Sequence, residues 1–199
     1  MAKRIDHEAR RKNILEKAMR LFSQIGYDNV SLIMIAEAAG IARTVMYRYY
    51  KDKREVLDAA IRANASIIMA QCRAEIARSL SVRSKLKMMC FHVTDYLFGK
   101  REFLTAIYDF VLAMNRLGEN MGSKVFEFTK GLRMAFRALL ADGIEHGEIL
   151  SGIEPISTTE VFLTEFEATT LRLVLGMETN AAEAKKRLML MIDAICVKA

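Results

Sequence analysis

The sequence predicts an all-α fold, and three observations carry that expectation. A single proline, Pro155, stands in 199 residues, and proline is the residue that most often breaks helices, so long helices can run almost anywhere. Capping residues and glycines recur at helix-length intervals. Between them apolar residues return every three or four positions, the period of a helix with one buried face. With 52% hydrophobic residues in 22.6 kDa, the chain can bury one sizeable core or a small module joined to a larger one.

The elements follow in order. Asp6 is placed to cap a first helix whose Ile14, Ala18, Leu21, Phe22 and Ile25 fall on one stripe, and Gly26 to end it in a left-handed conformation. Ser31 opens a second helix with Leu32, Ile35, Ala36 and Ala39 on its inner face, and Gly40 stops it after about two turns. A third short helix is expected over about 43–50. Asp52 with Glu55 three residues later reads as a capping box that opens a long fourth helix reaching toward Ser79. From Arg83 to His146 the chain is rich in Met and Phe, and Gly118 and Gly122 mark a loop. Ser157 with Glu160 reads as another capping box just after Pro155, for a helix closed by Gly176. Asn180 with Glu183 opens the last helix, lined by Leu188, Ile192 and Ile195. No internal repeat or low-complexity linker interrupts the chain, and the module boundary is placed near Asp52.

Charge and cysteine usage narrow the function classes. Residues 1–60 hold 12 Lys/Arg against 8 Asp/Glu, so most of the net charge of +6 lies in the first third. A basic N-terminal segment suits a polyanionic partner, although a solvated surface can look the same. Cys72, Cys90 and Cys196 are far apart and form no CxxC pair, which argues against a disulfide framework and a zinc site and for a reducing, cytoplasmic setting. The opening MAKRIDHEARRK lacks the apolar run of a signal peptide, and the apolar stretch near the C-terminus is broken by Glu165, Glu167 and Arg172, so no membrane span is expected.

The segment Ser31 to Lys53, SLIMIAEAAGIARTVMYRYYKDK, reads as two short helices around a tight turn at Gly40. In that arrangement the second helix is presented to a major groove while the first braces it. Met46 and Tyr50 are four apart and can face the core with Ile41, which leaves Arg43, Thr44, Tyr47 and Arg48 on the opposite face. Two arginines, a hydroxyl and a tyrosine supply donors for base edges and phosphate oxygens. A basic helical hairpin whose tyrosines only pack is the bland alternative.

These residues resemble the TetR family of bacterial regulators: Ser31-Leu32-x-x-Ile35-Ala36, then Ala39-Gly40-Ile41, then Met46-Tyr47-x-Tyr49-Tyr50-x-x-Lys53, after a capped helix ending in Gly26-Tyr27. The resemblance implies phosphate contacts from Ser31, Tyr47, Tyr49 and Lys53, and places Arg43, Thr44, Val45 and Arg48 against bases or neighbouring phosphates. It implies a three-helix DNA-binding head over 1–52, joined by the long fourth helix to a larger helical ligand-binding and dimerisation domain over 53–199. It further implies a homodimer through the last two helices, here about 157–175 and 181–197, on a near-palindromic double-stranded operator, with a small-molecule effector that releases the DNA. Two departures stand out. Ala42 sits where the family often has a capping Ser or Thr, and Ile33 and Met34 are apolar where it more often has polar residues.

The larger module offers a Met-aromatic set suited to an irregular, largely apolar ligand, or equally to plain core. The candidates are Met88, Phe91, His92, Tyr96, Tyr108, Met114, Asn115 and Phe126. Three scattered histidines, with no HExxH and no Gly-rich phosphate loop, give no metal, nucleotide or other cofactor site. No convergent acid, base and nucleophile can be assembled, so an enzyme is not expected. A helical small-molecule carrier or sensor without specific DNA binding is the alternative, and DNA affinity that never exceeded a salt-sensitive non-specific level would favour it.

Overall fold

The computed structural model describes residues 6–78 and 80–197, and the described chain is all-helical as the sequence predicts. The helices are α1 His7–Ile25, α2 Leu32–Ala38, α3 Arg43–Met46, α4 Lys53–Ile76, α5 Val82–Phe98, α6 Arg101–Arg116, α7 Met121–Glu145, α8 Pro155–Val174 and α9 Ala181–Ile195. Several caps are the expected ones. The Asp6 carboxylate accepts the Glu8 and Ala9 N–H groups at 3.0 Å, and Asn180 accepts that of Ala182 at 2.9 Å. Asp52 accepts from the Glu55 N–H at 2.8 Å while the Glu55 carboxylate accepts from the Lys51 N–H at 2.7 Å. This is a capping box displaced by one residue on its return bond.

Other boundaries differ for identifiable reasons. α8 starts two residues before Ser157. Its cap is Glu154, whose two carboxylate oxygens accept the Ile156 and Ser157 N–H groups at 3.0 and 2.6 Å. Pro155 fits the first helical position because its missing N–H would have no partner there. Glu160 therefore lies inside the helix and pairs with Arg133 and Arg137 of α7. α3 is regular only through Met46 and continues as turns to Tyr49. α4 ends at Ile76, and Ser79 lies outside the described residues, as do Met1 to Ile5 of the basic opening.

The chain divides into two compact units, Met1–Asn64 with Glu102–Lys124, and Ala65–Arg101 with Val125–Ala199. In the first, Ile14, Phe22, Ile35, Met46, Leu57 and Phe110 are fully buried, and α2 packs on both α1 and α3. Residues of α6 hold the turn that follows α1, and the loop after α6 holds the start of α4. The Tyr27 N–H donates to the Asp109 carboxylate, and the Tyr27 ring meets Phe110 edge-on at 4.8 Å. Arg54 forks onto Glu119. The Tyr27 phenol is pushed up to about 12, chiefly by burial.

In the second unit α5 packs on α9 and α8, and α8 on α9. The pairs Arg83 with Asp193 and Lys185 with Asp95 run α5 and α9 antiparallel. Phe136 stacks on Phe162 at 5.4 Å, and Leu86, Met89, Leu140, Leu188 and Ile192 are also fully buried in this unit. The Leu150 N–H donates to the Ile195 carbonyl at 3.0 Å and the Val197 N–H to that of Glu148 at 2.9 Å, tying the end of α9 to the loop after α7. Gly143 lets that loop close, since a Cβ there would stand 2.8 Å from Ile149 and 2.9 Å from Val82. No described helix is long and apolar enough to cross a membrane.

Candidate nucleic-acid interface

The site begins with the turn between α2 and α3. Ser31 caps α2, its hydroxyl oxygen accepting the Met34 N–H at 3.2 Å. At the other end the Gly40 N–H donates to the Glu37 carbonyl and the Ile41 N–H to that of Ala36, both at 3.0 Å, the two bonds of a Schellman stop. That stop requires a left-handed residue, and Gly40 supplies it with φ of 67°. The chain leaves the turn through Ala42, which caps α3 without a side-chain bond.

Met46 and Tyr50 are buried, with Ile41 half-buried beside them. This anchoring leaves Arg43, Thr44, Tyr47 and Arg48 exposed together. The Arg43 guanidinium lies 5.8 Å from the Tyr47 ring, a spacing that pre-orients both long side chains. Val45 and Tyr49 are half-buried. The Tyr49 hydroxyl lies 2.7 Å from His7 Nδ1, and the Arg11 guanidinium is 6.0 Å from its ring. His7 and Arg11 thus join the cluster from 42 and 38 residues upstream. No local pattern in the sequence signals that meeting.

Lys53 is engaged within the fold. Its ammonium donates to the Tyr27 and Asp28 carbonyls at 2.7 and 3.0 Å and sits 4.4 Å from the Tyr27 ring centroid. An ammonium has three donors, so one remains for an outside oxygen. Asn13 donates from α1 to the Ala39 carbonyl at 3.0 Å and steadies the end of α2.

The ligand-pocket candidates fall into both units. Met88, Phe91, His92 and Tyr96 share one half-buried face of α5. His92 Nε2 lies 3.0 Å from the Glu75 carboxylate, and Phe91 sits between the Lys87 and Lys185 ammoniums at 5.5 and 5.0 Å. The Tyr96 phenol is pushed up to about 12 by burial. On α6, in the other unit, Tyr108 is half-buried, Met114 buried and Asn115 exposed. Phe126 on α7 is about half exposed and carries the Arg133 guanidinium 4.9 Å from its ring. Among the described residues no three His, Cys, Asp or Glu side chains gather to hold a metal.

Comparison with known proteins gives the site its setting. The family model for bacterial regulatory proteins of the tetR family matches residues 14–60, the stretch from mid-α1 into α4. The Fatty acid metabolism regulator protein of Bacillus subtilis (strain 168) is 23% identical over 141 residues, 71% of each chain. Among solved structures, the fatty acid degradation regulator FadR from Bacillus halodurans superposes with a TM-score of 0.80, at 17% identity over 96% of both chains. The regulator FadR from Bacillus subtilis, in complex with stearoyl-CoA, does so with a TM-score of 0.76 at 18% identity, covering 91% of this chain and 96% of that one.

Proposed function

We propose that the chain is a DNA-binding transcriptional regulator of the TetR family, whose model matches residues 14–60, and that it acts as a homodimeric repressor of a near-palindromic operator, released by a long-chain acyl effector. The observation that carries the DNA half is the exposed face Arg43, Thr44, Tyr47 and Arg48, held outward by the burial of Met46 and Tyr50. Arg43, Thr44, Val45 and Arg48 read base edges or adjoining phosphates, and Ser31, Tyr47, Tyr49 and Lys53 hold the backbone. Residues 1–52 form the reading head, and 53–199 hold effector and partner.

One short helix reads too few base pairs for operator specificity, so two heads one helical turn apart are needed. The second unit offers a surface for pairing. Along α8, Val161, Thr164, Ala168, Leu171 and Leu175 are exposed at alternating spacings of three and four, the seam of a helix packed against another helix. On α9, Leu190 and Ala194 continue it, with Val197 just beyond the helix, Leu190 at 71% exposure and Leu175 at 62%. Open apolar surface of this kind marks an interface, and a second copy presents the matching seam.

The effector class is supported by the relatives, two of them named for fatty acid metabolism or degradation and one bound to stearoyl-CoA. An effector of this kind acts by binding the DNA-incompetent arrangement better than the competent one. In a gel-shift titration with DNA from its own promoter region, the protein is expected to bind as a dimer and to be released by stearoyl-CoA. Retention of the complex at saturating stearoyl-CoA overturns the effector class, and a monomer on DNA overturns the dimer.

A further inference from the structure

From the pairing of α7 with α8 we infer that Arg133 and Arg137 form the anion-binding end of the effector site, a seat for the head of an acyl compound, with Glu160 as the internal carboxylate that the ligand displaces. The inference rests on the acyl-effector reading above and adds which end of the molecule is recognised and by what.

The hydrogen bonding of the cluster is incomplete. Two guanidiniums share the single Glu160 carboxylate, Arg133 through one oxygen and Arg137 through the other at 3.0 Å. Arg133 is more than nine-tenths buried, where an unneutralised charge is costly. Its Nε donates to the Thr129 hydroxyl at 3.2 Å, and its guanidinium carbon lies 4.9 Å from the Phe126 ring centroid. The Nε–H of Arg137 and the hydroxyl of Thr159, next to Glu160 on α8, are both buried with no hydrogen-bond partner. Glu154 also attracts Arg137, but its oxygens are committed to the start of α8. Two guanidiniums that share one carboxylate's oxygens and leave a buried donor spare fit a ligand that brings several anionic oxygens, as a carboxylate or phosphate does. The half-exposed Phe126 ring beside Arg133 gives the adjoining hydrocarbon an apolar surface.

Glu160 keeps the guanidiniums oriented before ligand arrives, and its side chain is 43% exposed, so it can swing aside. An entering anion takes over the bonds to both guanidiniums and supplies the acceptor that the Arg137 Nε–H lacks.

The test is calorimetric titration of the full-length protein with myristate, myristoyl-CoA and myristyl alcohol, on wild type, R137A and E160Q, with thermal melts as the folding control. The expected result is that R137A weakens the anionic probes by about tenfold or more, the loss of a charge-assisted hydrogen bond, while the alcohol is unaffected. E160Q tightens the anionic probes, which a purely structural clasp between α7 and α8 would not do. Myristoyl-CoA binding without myristate assigns the seat to the CoA phosphates, and binding of both assigns it to any anionic head. If the probes bind and neither substitution discriminates anion from alcohol, the seat is wrong and the effector class stands. If no probe binds wild type, the effector reading falls and the seat with it.

Discussion

Lys53 carries one observed role and one expected role. The resemblance assigns it to a phosphate, and the structure adds two bonds to the Tyr27 and Asp28 carbonyls. Lys53→Ala is therefore expected to weaken DNA binding at all sequences by roughly 1–3 kcal/mol and also to lower the melting temperature, through loss of hydrogen bonds worth about 1 kcal/mol each. A DNA effect at unchanged stability would contradict the bracing role. Arg43→Ala is expected to act differently, costing affinity for the operator more than for scrambled DNA. The outward set Arg43, Thr44, Tyr47 and Arg48 was legible because a four-residue spacing of Met46 and Tyr50 fixes which way a helix turns. The second role of Lys53 and the meeting of His7 with Tyr49 were not, because their partners lie 25 to 42 residues away and only the folded chain brings them together.

At the scale of elements, helix starts were legible where a short polar side chain stands just before an apolar run, as at Asp6, Ser31 and Asn180. They were not where a longer side chain does the same work. Glu154 turns back to cap α8, whereas Ser157 and Glu160, which match the capping pattern, lie inside the helix. The grouping of Glu102–Lys124 with the first unit was equally invisible, since it depends on Asp109 and Glu119 meeting Tyr27 and Arg54, contacts without periodicity. Gly143 likewise carries no local signature inside α7. Gly143→Ala must push Ile149 and Val82 aside in a closed contact, and overpacking of this kind typically costs 1–3 kcal/mol. Denaturant titration is expected to show that loss, and an unchanged midpoint would mean the α7 to α8 loop gives way freely.

Over the whole molecule, ion pairs in both units tie stability to pH. The forked bond from Arg54 holds the Glu119 carboxyl below its ordinary range. Burial would raise Glu178, but the bonds from Arg187 and Arg172 outweigh it and lower it. Carboxyls whose folded values are depressed add stability that is present above their unfolded values and lost as pH falls through the folded ones. The melting temperature is expected to fall as pH drops below the ordinary carboxylate value of 4.5, and Glu178→Gln to flatten that decline. Equal slopes for wild type and variant would show that Glu178 does not contribute to the decline. The three cysteines, all buried, with the Cys72 thiol raised to about 11 and Cys90 raised further by burial, are expected to resist alkylation until the chain unfolds.

If the α3 face reads DNA sequence as proposed, fluorescence anisotropy with promoter-region DNA and a scrambled duplex, titrated from low to physiological salt, will show a preference for the promoter DNA that persists as salt rises, because base contacts survive when phosphate attraction is screened. Arg43→Ala is expected to narrow that preference. Equal affinity for the two duplexes at every salt concentration would contradict that reading.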